Sequence, residues 1–256
     1  EVEGLARLPA ATGDDWGAYY VGWDLGADGQ ASSWSKRKTI PGELGESTQG
    51  VGLDVVDISG DGRPEMFYGW IDNPSGVNRG YYRVGWNLDE NGDSANWWTN
   101  HRPIEGAFGV LDAGLGLTVT DLDRSGQPDL VAAWVRDLEG QNEWAYAIGE
   151  ELDGNAYVGS WVPGYGVPSW LLSRTGGAAL ASANLNQGDE LPELVISWID
   201  DPDGANRAWL QVGKSLAFGG EVDQRPTDLK DDDPDDGKFQ IQLYGQWWNV
   251  NGKVLW

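Results

Sequence analysis

Asp57-Ile58-Ser59-Gly60-Asp61-Gly62-Arg63-Pro64-Glu65 sets three carboxylates, a hydroxyl and two glycines into one short stretch. On its left lies an alternating run, Val51-Gly52-Leu53-Asp54-Val55-Val56, and on its right Met66-Phe67-Tyr68-Gly69-Trp70-Ile71. A tight acidic loop joining two β-strands reads first as a cation site. The same unit returns at Asp121 and, altered, at Asn184.

The return is periodic. Val21-Gly22-Trp23-Asp24-Leu25 recurs as Val84-Gly85-Trp86-Asn87-Leu88, Ile148-Gly149-Glu150-Glu151-Leu152 and Val212-Gly213-Lys214-Ser215-Leu216, in steps of 63, 64 and 64 residues. The acidic loops step by 64 and 63, and Trp70-Ile71-Asp72, Trp134-Val135-Arg136 and Trp198-Ile199-Asp200 by 64 and 64. Three landmarks with one period mark a repeat architecture.

Each period holds four strand-like runs. In the first full copy they fall at about 51–57, 65–72, 80–88 and from Trp97 to Ile104. Turns rich in Asp, Pro, Gly and Asn separate them, such as Asp72-Asn73-Pro74-Ser75-Gly76 and Asp200-Asp201-Pro202-Asp203-Gly204. Four antiparallel strands per period of about 64 residues suit the blade of a β-propeller.

The expected fold is therefore all-β, a single domain over 1–256. Its repeats run approximately over 16–78, 79–142, 143–206 and 207–256, with an acidic loop at 231–236. Residues 16–40 supply only the third and fourth strands of a copy. The C-terminal stretch Phe239 to Tyr244 alternates like a strand, and Asn251-Gly252 signals a hairpin turn with Lys253-Val254-Leu255-Trp256 returning. That hairpin is expected to complete the N-terminal half-blade and close a ring of about four blades. The alternative leaves an open edge that pairs with another chain.

Composition bounds the rest. The net charge of −24 and pI near 4.1 argue against nucleic acid and anionic membrane surfaces as partners. Cys is absent and His101 is the one histidine, which excludes disulfides, thiol catalysis and multi-histidine zinc centres. No apolar run approaches the roughly 20 residues that span a bilayer, so no membrane insertion is expected. The chain begins at Glu1 rather than Met, which fits a cleaved leader or simply a chain that starts there. Weak calcium loops need the millimolar calcium found outside cells, so the expected location is secreted or cell surface.

A hard cation takes six to eight oxygens at about 2.3–2.6 Å. The first loop offers Asp57, Ser59, Asp61, the Arg63 carbonyl and Glu65, with Gly60 and Gly62 letting the backbone turn. The second offers Asp121, Asp123, Ser125, the Gln127 carbonyl and Asp129. The third offers Asn184, Asn186, Asp189 and Glu193, is one residue longer, and starts with neutral amides. Each loop is also readable as a solvated acidic turn. The charge run Asp231 to Asp236 reads as a solvated loop.

Asp57 to Glu65 and Asp121 to Asp129, each followed by an apolar strand, resemble the calcium loops of FG-GAP/VCBS repeats, as in integrin-α-like β-propellers. The family consensus is Asp-x-Asp/Asn-x-Asp/Asn-Gly-x-x-Asp. The resemblance covers roughly 16–216 and implies calcium as the bound ion and a propeller of such blades. Ser59 and Ser125 stand where the consensus has acidic or amide groups. The family usually builds seven blades, and this chain has length for about four.

Among the 16 tryptophans, Trp70, Trp134 and Trp198, and likewise Trp23 and Trp86, sit at equivalent positions and read as core between blades. Trp34, Trp97, Trp98, Trp161 and Trp170 lie near the fourth strand, read as less regular and more exposed, and are the candidate stacking platforms for a glycan. Trp247 and Trp248 read as sealing the ring or a contact between chains. No Gly-x-Ser-x-Gly elbow, phosphate loop or dinucleotide fingerprint is present, and His101 beside Arg102 forms no catalytic constellation.

The expected function is a calcium-stabilised extracellular binding module, lectin-like or adhesive, with a glycan or an extracellular protein as ligand. The rival is a structural subunit whose terminal strands join chains into a homo-oligomer or filament. A polysaccharide-active enzyme stands third.

Overall fold

Runs rich in Val, Leu, Trp and Tyr, cut every few residues by Gly, Pro or Asn, are too short for helices and well suited to strands. A computed structural model of the chain describes residues 16–26, 30–42, 44, 48, 50–73, 77–106, 108–109, 112–138, 141–162, 166–167, 176–184, 192–200, 207–213, 227–228, 239–243 and 246–250. Among the described residues there is no helix; the fold is all-β.

At the N-terminal end, β1 (Ala18–Tyr19), β2 (Gly22–Trp23), β3 (Ser33–Trp34) and β4 (Lys38–Thr39) form two short antiparallel pairs, β1 with β4 and β2 with β3. The first full sheet is a meander of β5 (Gly50–Val56), β6 (Glu65–Asp72) and β7 (Arg79–Leu88). Its outer edge is broken into β8 (Ser94–Trp97) and β9 (Arg102–Ile104), both paired with β7. The fourth run expected from Trp97 to Ile104 is thus two short strands, because the polar residues Thr99, Asn100 and His101 leave the ladder.

The second sheet repeats this plan with β10 (Ala113–Thr120), β11 (Asp129–Leu138), β12 (Gln141–Glu150), β13 (Ser160–Val162) and β14 (Gly166–Val167). The third has β15 (Gly176–Ala183), β16 (Glu193–Asp200), β17 (Arg207–Gly213) and β18 (Thr227–Asp228). The pairings obey the sequence period: Gly69 faces Tyr82, Ala133 faces Tyr146 and Ser197 faces Leu210. β19 (Phe239–Leu243) and β20 (Gln246–Val250) pair antiparallel, with Leu243 facing Gln246, and the turn expected at Asn251-Gly252 falls outside the described residues. Residues 231–236 and 251–256 lie outside the described residues.

Successive sheets pack face to face. Phe67, Val84 and Ile104 of the first share one core with Leu115, Leu117, Leu130 and Trp134 of the second. Ala133, Val135 and Trp144 of the second meet Ile196 and Trp198 of the third. Ile40 and Leu44 cover Tyr68 and Trp70 at the N-terminal side. Trp70, Trp134 and Trp198 are all buried, as their repeated position requires.

The first strands of the three sheets come within backbone contact. A Cβ on Gly52 would lie 2.7 Å from the Leu115 carbonyl oxygen, and one on Gly116 2.6 Å from the Leu180 nitrogen. Glycine is what lets β5, β10 and β15 approach this closely. Polar bonds stitch the same line: the Val119 N–H donates to Asp54 Oδ2 at 2.7 Å, and the Thr118 and Ser182 hydroxyls lie 3.0 Å apart. Asp54, Thr118 and Ser182 are one repeat position, a row that the loop-centred sequence reading passes over.

Candidate metal centre

In the second loop, Asp121, Asp123 and Asp129 bring one carboxylate oxygen each within 4.8 Å of one another. The chain gets them there by local means. Arg124 and Gly126 take left-handed backbone angles, φ 63° and 84°, which wrap the loop around its own acids. Asp121 accepts from the Ser125 N–H at 3.1 Å and the Gly126 N–H at 3.0 Å, and Asp123 from the Ser125 N–H at 2.9 Å. That last bond and the Ser125 hydroxyl hold the Asp123 carboxyl below its ordinary range.

Asp129 opens β11 and is buried. Its oxygens accept from the Leu122 N–H at 3.0 Å and the Glu151 N–H at 3.1 Å, so it ties the loop to the end of β12. Burial pushes its pKa up, with Asp123 and Asp121 adding to the rise. Three acids round one point, one of them buried, carry a repulsion that a cation would relieve.

The first loop follows the same path. Gly60 and Gly62 stand at φ 71° and 82°, in the places of Arg124 and Gly126. Asp57 accepts from the Gly60 N–H at 2.7 Å and the Gly62 N–H at 2.8 Å, and the Gly62 bond leads in lowering its pKa. Glu65, the counterpart of Asp129, is fully buried at the start of β6. Its Oε2 accepts from the Ile58 N–H at 3.0 Å, while its Oε1 is buried with no hydrogen-bond partner. Burial is the main reason its pKa is raised. Asp61 instead turns back to accept from the Arg63 N–H at 2.8 Å, so the three acids of this loop are not drawn together as in the second. Asp61 sits where the second loop has Ser125, and Ser59 where it has Asp123.

Each buried acid also reaches a feature outside the loop. Asn87 and Glu151, one repeat position, hold left-handed angles of φ 53° and 55° at the ends of β7 and β12. The Glu151 N–H bonds Asp129, and the Asn87 N–H acts on Glu65 in the direction that lowers its pKa. The next residues, Leu88 and Leu152, donate to the carbonyls of Pro64 and Pro128 at 2.9 and 2.8 Å. The Gly-Trp-Asn-Leu landmark of the sequence is thus the clamp that seats the acidic loop.

In the third loop, Asn184 is exposed and Glu193 buried at the start of β16; Asn186 and Asp189 lie outside the described residues.

Three of the candidate ligand tryptophans share one local setting. Trp34, Trp97 and Trp161 are not irregular: they occupy one repeat position, opposite Gly22, Gly85 and Gly149 on the neighbouring strand. A Cβ on those glycines would meet the indole at 3.2, 2.9 and 3.2 Å, so each ring lies over a glycine gap. Trp97 and Trp161 are half-buried by this, whereas Trp34 is exposed. Trp98 packs 5.5 Å from Tyr157 of the second sheet, with the Arg102 guanidinium over both rings. Trp170 lies outside the described residues. No protein-family model matches the chain, and no curated protein or solved structure matches it either.

Proposed function

We propose that this chain is a calcium-stabilised extracellular binding module, built as a propeller of about four blades of the FG-GAP/VCBS kind. The observation that carries the metal part is the buried acid at one repeat position. Glu65 leaves Oε1 unpartnered, and Asp129 lies with Asp121 and Asp123 in one acidic group. Asp57, Asp61 and Glu65 in the first loop, and Asp121, Asp123 and Asp129 in the second, would hold the ion, helped by Ser59, Ser125 and the carbonyls of Arg63 and Gln127. The ion's contribution is charge neutralisation, which fixes the loop between first and second strands of a blade. An all-oxygen donor set with no Cys or His favours a hard cation. The millimolar calcium outside cells suits such open loops, hence a secreted or cell-surface location.

The test is thermal unfolding with and without a chelator. A bound ion stabilises the folded state, so millimolar calcium is expected to raise Tm and the chelator to lower it. Equal Tm in both would sink the metal reading.

A second reading, assembly through terminal strands, has its own support. Val51, Leu53 and Val55 are exposed on β5, although their repeat counterparts Leu115, Leu117 and Val119 are buried. A missing neighbour, from this chain or from a second copy, accounts for the difference.

A further inference from the structure

The turn between β6 and β7 carries another recurring unit. Asp72-Asn73-Pro74-Ser75-Gly76-Val77-Asn78-Arg79 and Asp200-Asp201-Pro202-Asp203-Gly204-Ala205-Asn206-Arg207 share Asp, Pro, Gly, Asn and Arg in the same places, two periods apart. Turn geometry explains Pro and Gly. It does not explain Asp72 and Asn78.

Asn78 is buried, and its Nδ2 donates to the Asp112 carbonyl at 2.9 Å, which fixes the amide. Its Oδ1 is left without a donor, and so is Oδ1 of buried Asp72. Buried acceptors are normally satisfied by protein, water or ligand. Asn78 lines a cleft of about 670 Å³ beside β7 and β9, within the size range of small-molecule sites. Tyr81, His101 and Phe108 give it aromatic walls, and Glu105 stands in its lining. His101 meets Tyr81 edge-on at 4.4 Å, and burial and the Arg83 charge lower its pKa, with Asp72 opposing them.

We propose that this cleft binds a neutral saccharide. Aromatic walls suit the C–H face of a sugar ring. A sugar hydroxyl supplies the donor that Asn78 Oδ1 lacks, exposed Glu105 offers a further acceptor, and a charge of −24 disfavours an anionic ligand. A metal ion is disfavoured because Glu105 is the one carboxylate in the lining. The assignment rests on the binding-module reading for the presence of a ligand, and not on calcium occupancy.

Chitotriose, cellotriose, mannotriose and lactose, each at millimolar concentration with calcium, are the probes, read by saturation-transfer NMR on the full chain. At least one is expected to bind. Val77→Trp, at an exposed position in the cleft lining, and Asn78→Ala are each expected to weaken it by about tenfold or more, with Trp34→Ala unchanged. Asn78→Ala tests the acceptor and Val77→Trp tests the cleft without altering the core, so the second stands if the first fails to fold. Binding that survives Val77→Trp and is lost in Trp34→Ala moves the site to the tryptophans, which overturns the cleft and keeps the module. Binding by none of the four overturns the saccharide assignment, while the calcium shift in Tm is decided by its own measurement.

Discussion

Glu65 and Asp129 are the last of the proposed ligands in their loops, and both are buried acids whose burial works against their charge. Their amides make a two-sided test. In calcium, Glu65→Gln and Asp129→Asn are expected to cut affinity by at least about tenfold, or about 1.4 kcal/mol, since a charged ligand is lost. In chelator Glu65→Gln is expected to be near neutral or stabilising, because a charge held out of water is removed and the amide oxygen still accepts from the Ile58 N–H, whereas Asp129→Asn is expected to cost about 1–3 kcal/mol, because its NH2 would face the Leu122 or the Glu151 N–H. Calorimetric titration paired with unfolding in chelator measures both, and an Asp129→Asn variant that binds calcium as the parent does would remove Asp129 from the ligand set. These acids were legible in the sequence because their spacing is local to one strand–turn–strand. Trp34, Trp97 and Trp161 were not: each finds its glycine across a strand pair, and the pairing itself sets that meeting. Their shared step was there to read, but without the partner glycine it looked irregular.

At the scale of elements, the strands were legible from alternation and turn residues, while the contact between sheets was not. Nothing in Gly116 alone says that its neighbour is the backbone of β15. The structure shows the Leu180 nitrogen 2.6 Å from where its Cβ would be, closer than real Cβ contacts come. Gly116→Ala must therefore push β10 from β15, and it is expected to destabilise by about 1–3 kcal/mol, the usual range for overpacking. Gly154, in a turn with nothing within 4 Å of an added Cβ, is the control, and its alanine variant is expected to unfold close to the parent in urea. Equal loss in both would mean that the glycines matter for the chain's freedom and not for the approach of first strands. The polar row of Asp54, Thr118 and Ser182 sits on that approach, which is why an apparently misplaced acid interrupts the apolar alternation of β5.

For the whole molecule, the period was legible and the partner of the terminal strands was not, because such a pairing would join residues far apart in sequence or on two chains. The N-terminal pairs β1–β4 and β2–β3 correspond to third and fourth strands, since Gly22 faces Trp34 as Gly85 faces Trp97. Among the described residues no first and second strands precede that copy, and β19–β20 is a pair whose described strand partners are only each other. Val51, Leu53 and Val55 mark where the missing pair would rest, and covering a side chain of that size contributes about 1.5–3 kcal/mol. A hairpin seated on β5 from the same chain closes the ring; one from a second copy makes a dimer or a filament. The absence of cysteine makes the choice measurable. With Leu53→Cys fixed and a second cysteine moved along 246–250, mild oxidation of dilute protein is expected to give a cross-linked monomer at one or two positions. Cross-linked dimers that vanish on dilution would instead assign the hairpin to a neighbouring chain. If no position cross-links and the protein sediments as a monomer, the exposed face of β5 has another occupant. Removal of 239–256 separates the cases further: loss of a ring-closing hairpin lowers Tm at every protein concentration, whereas loss of an assembly strand lowers it only where the parent associates.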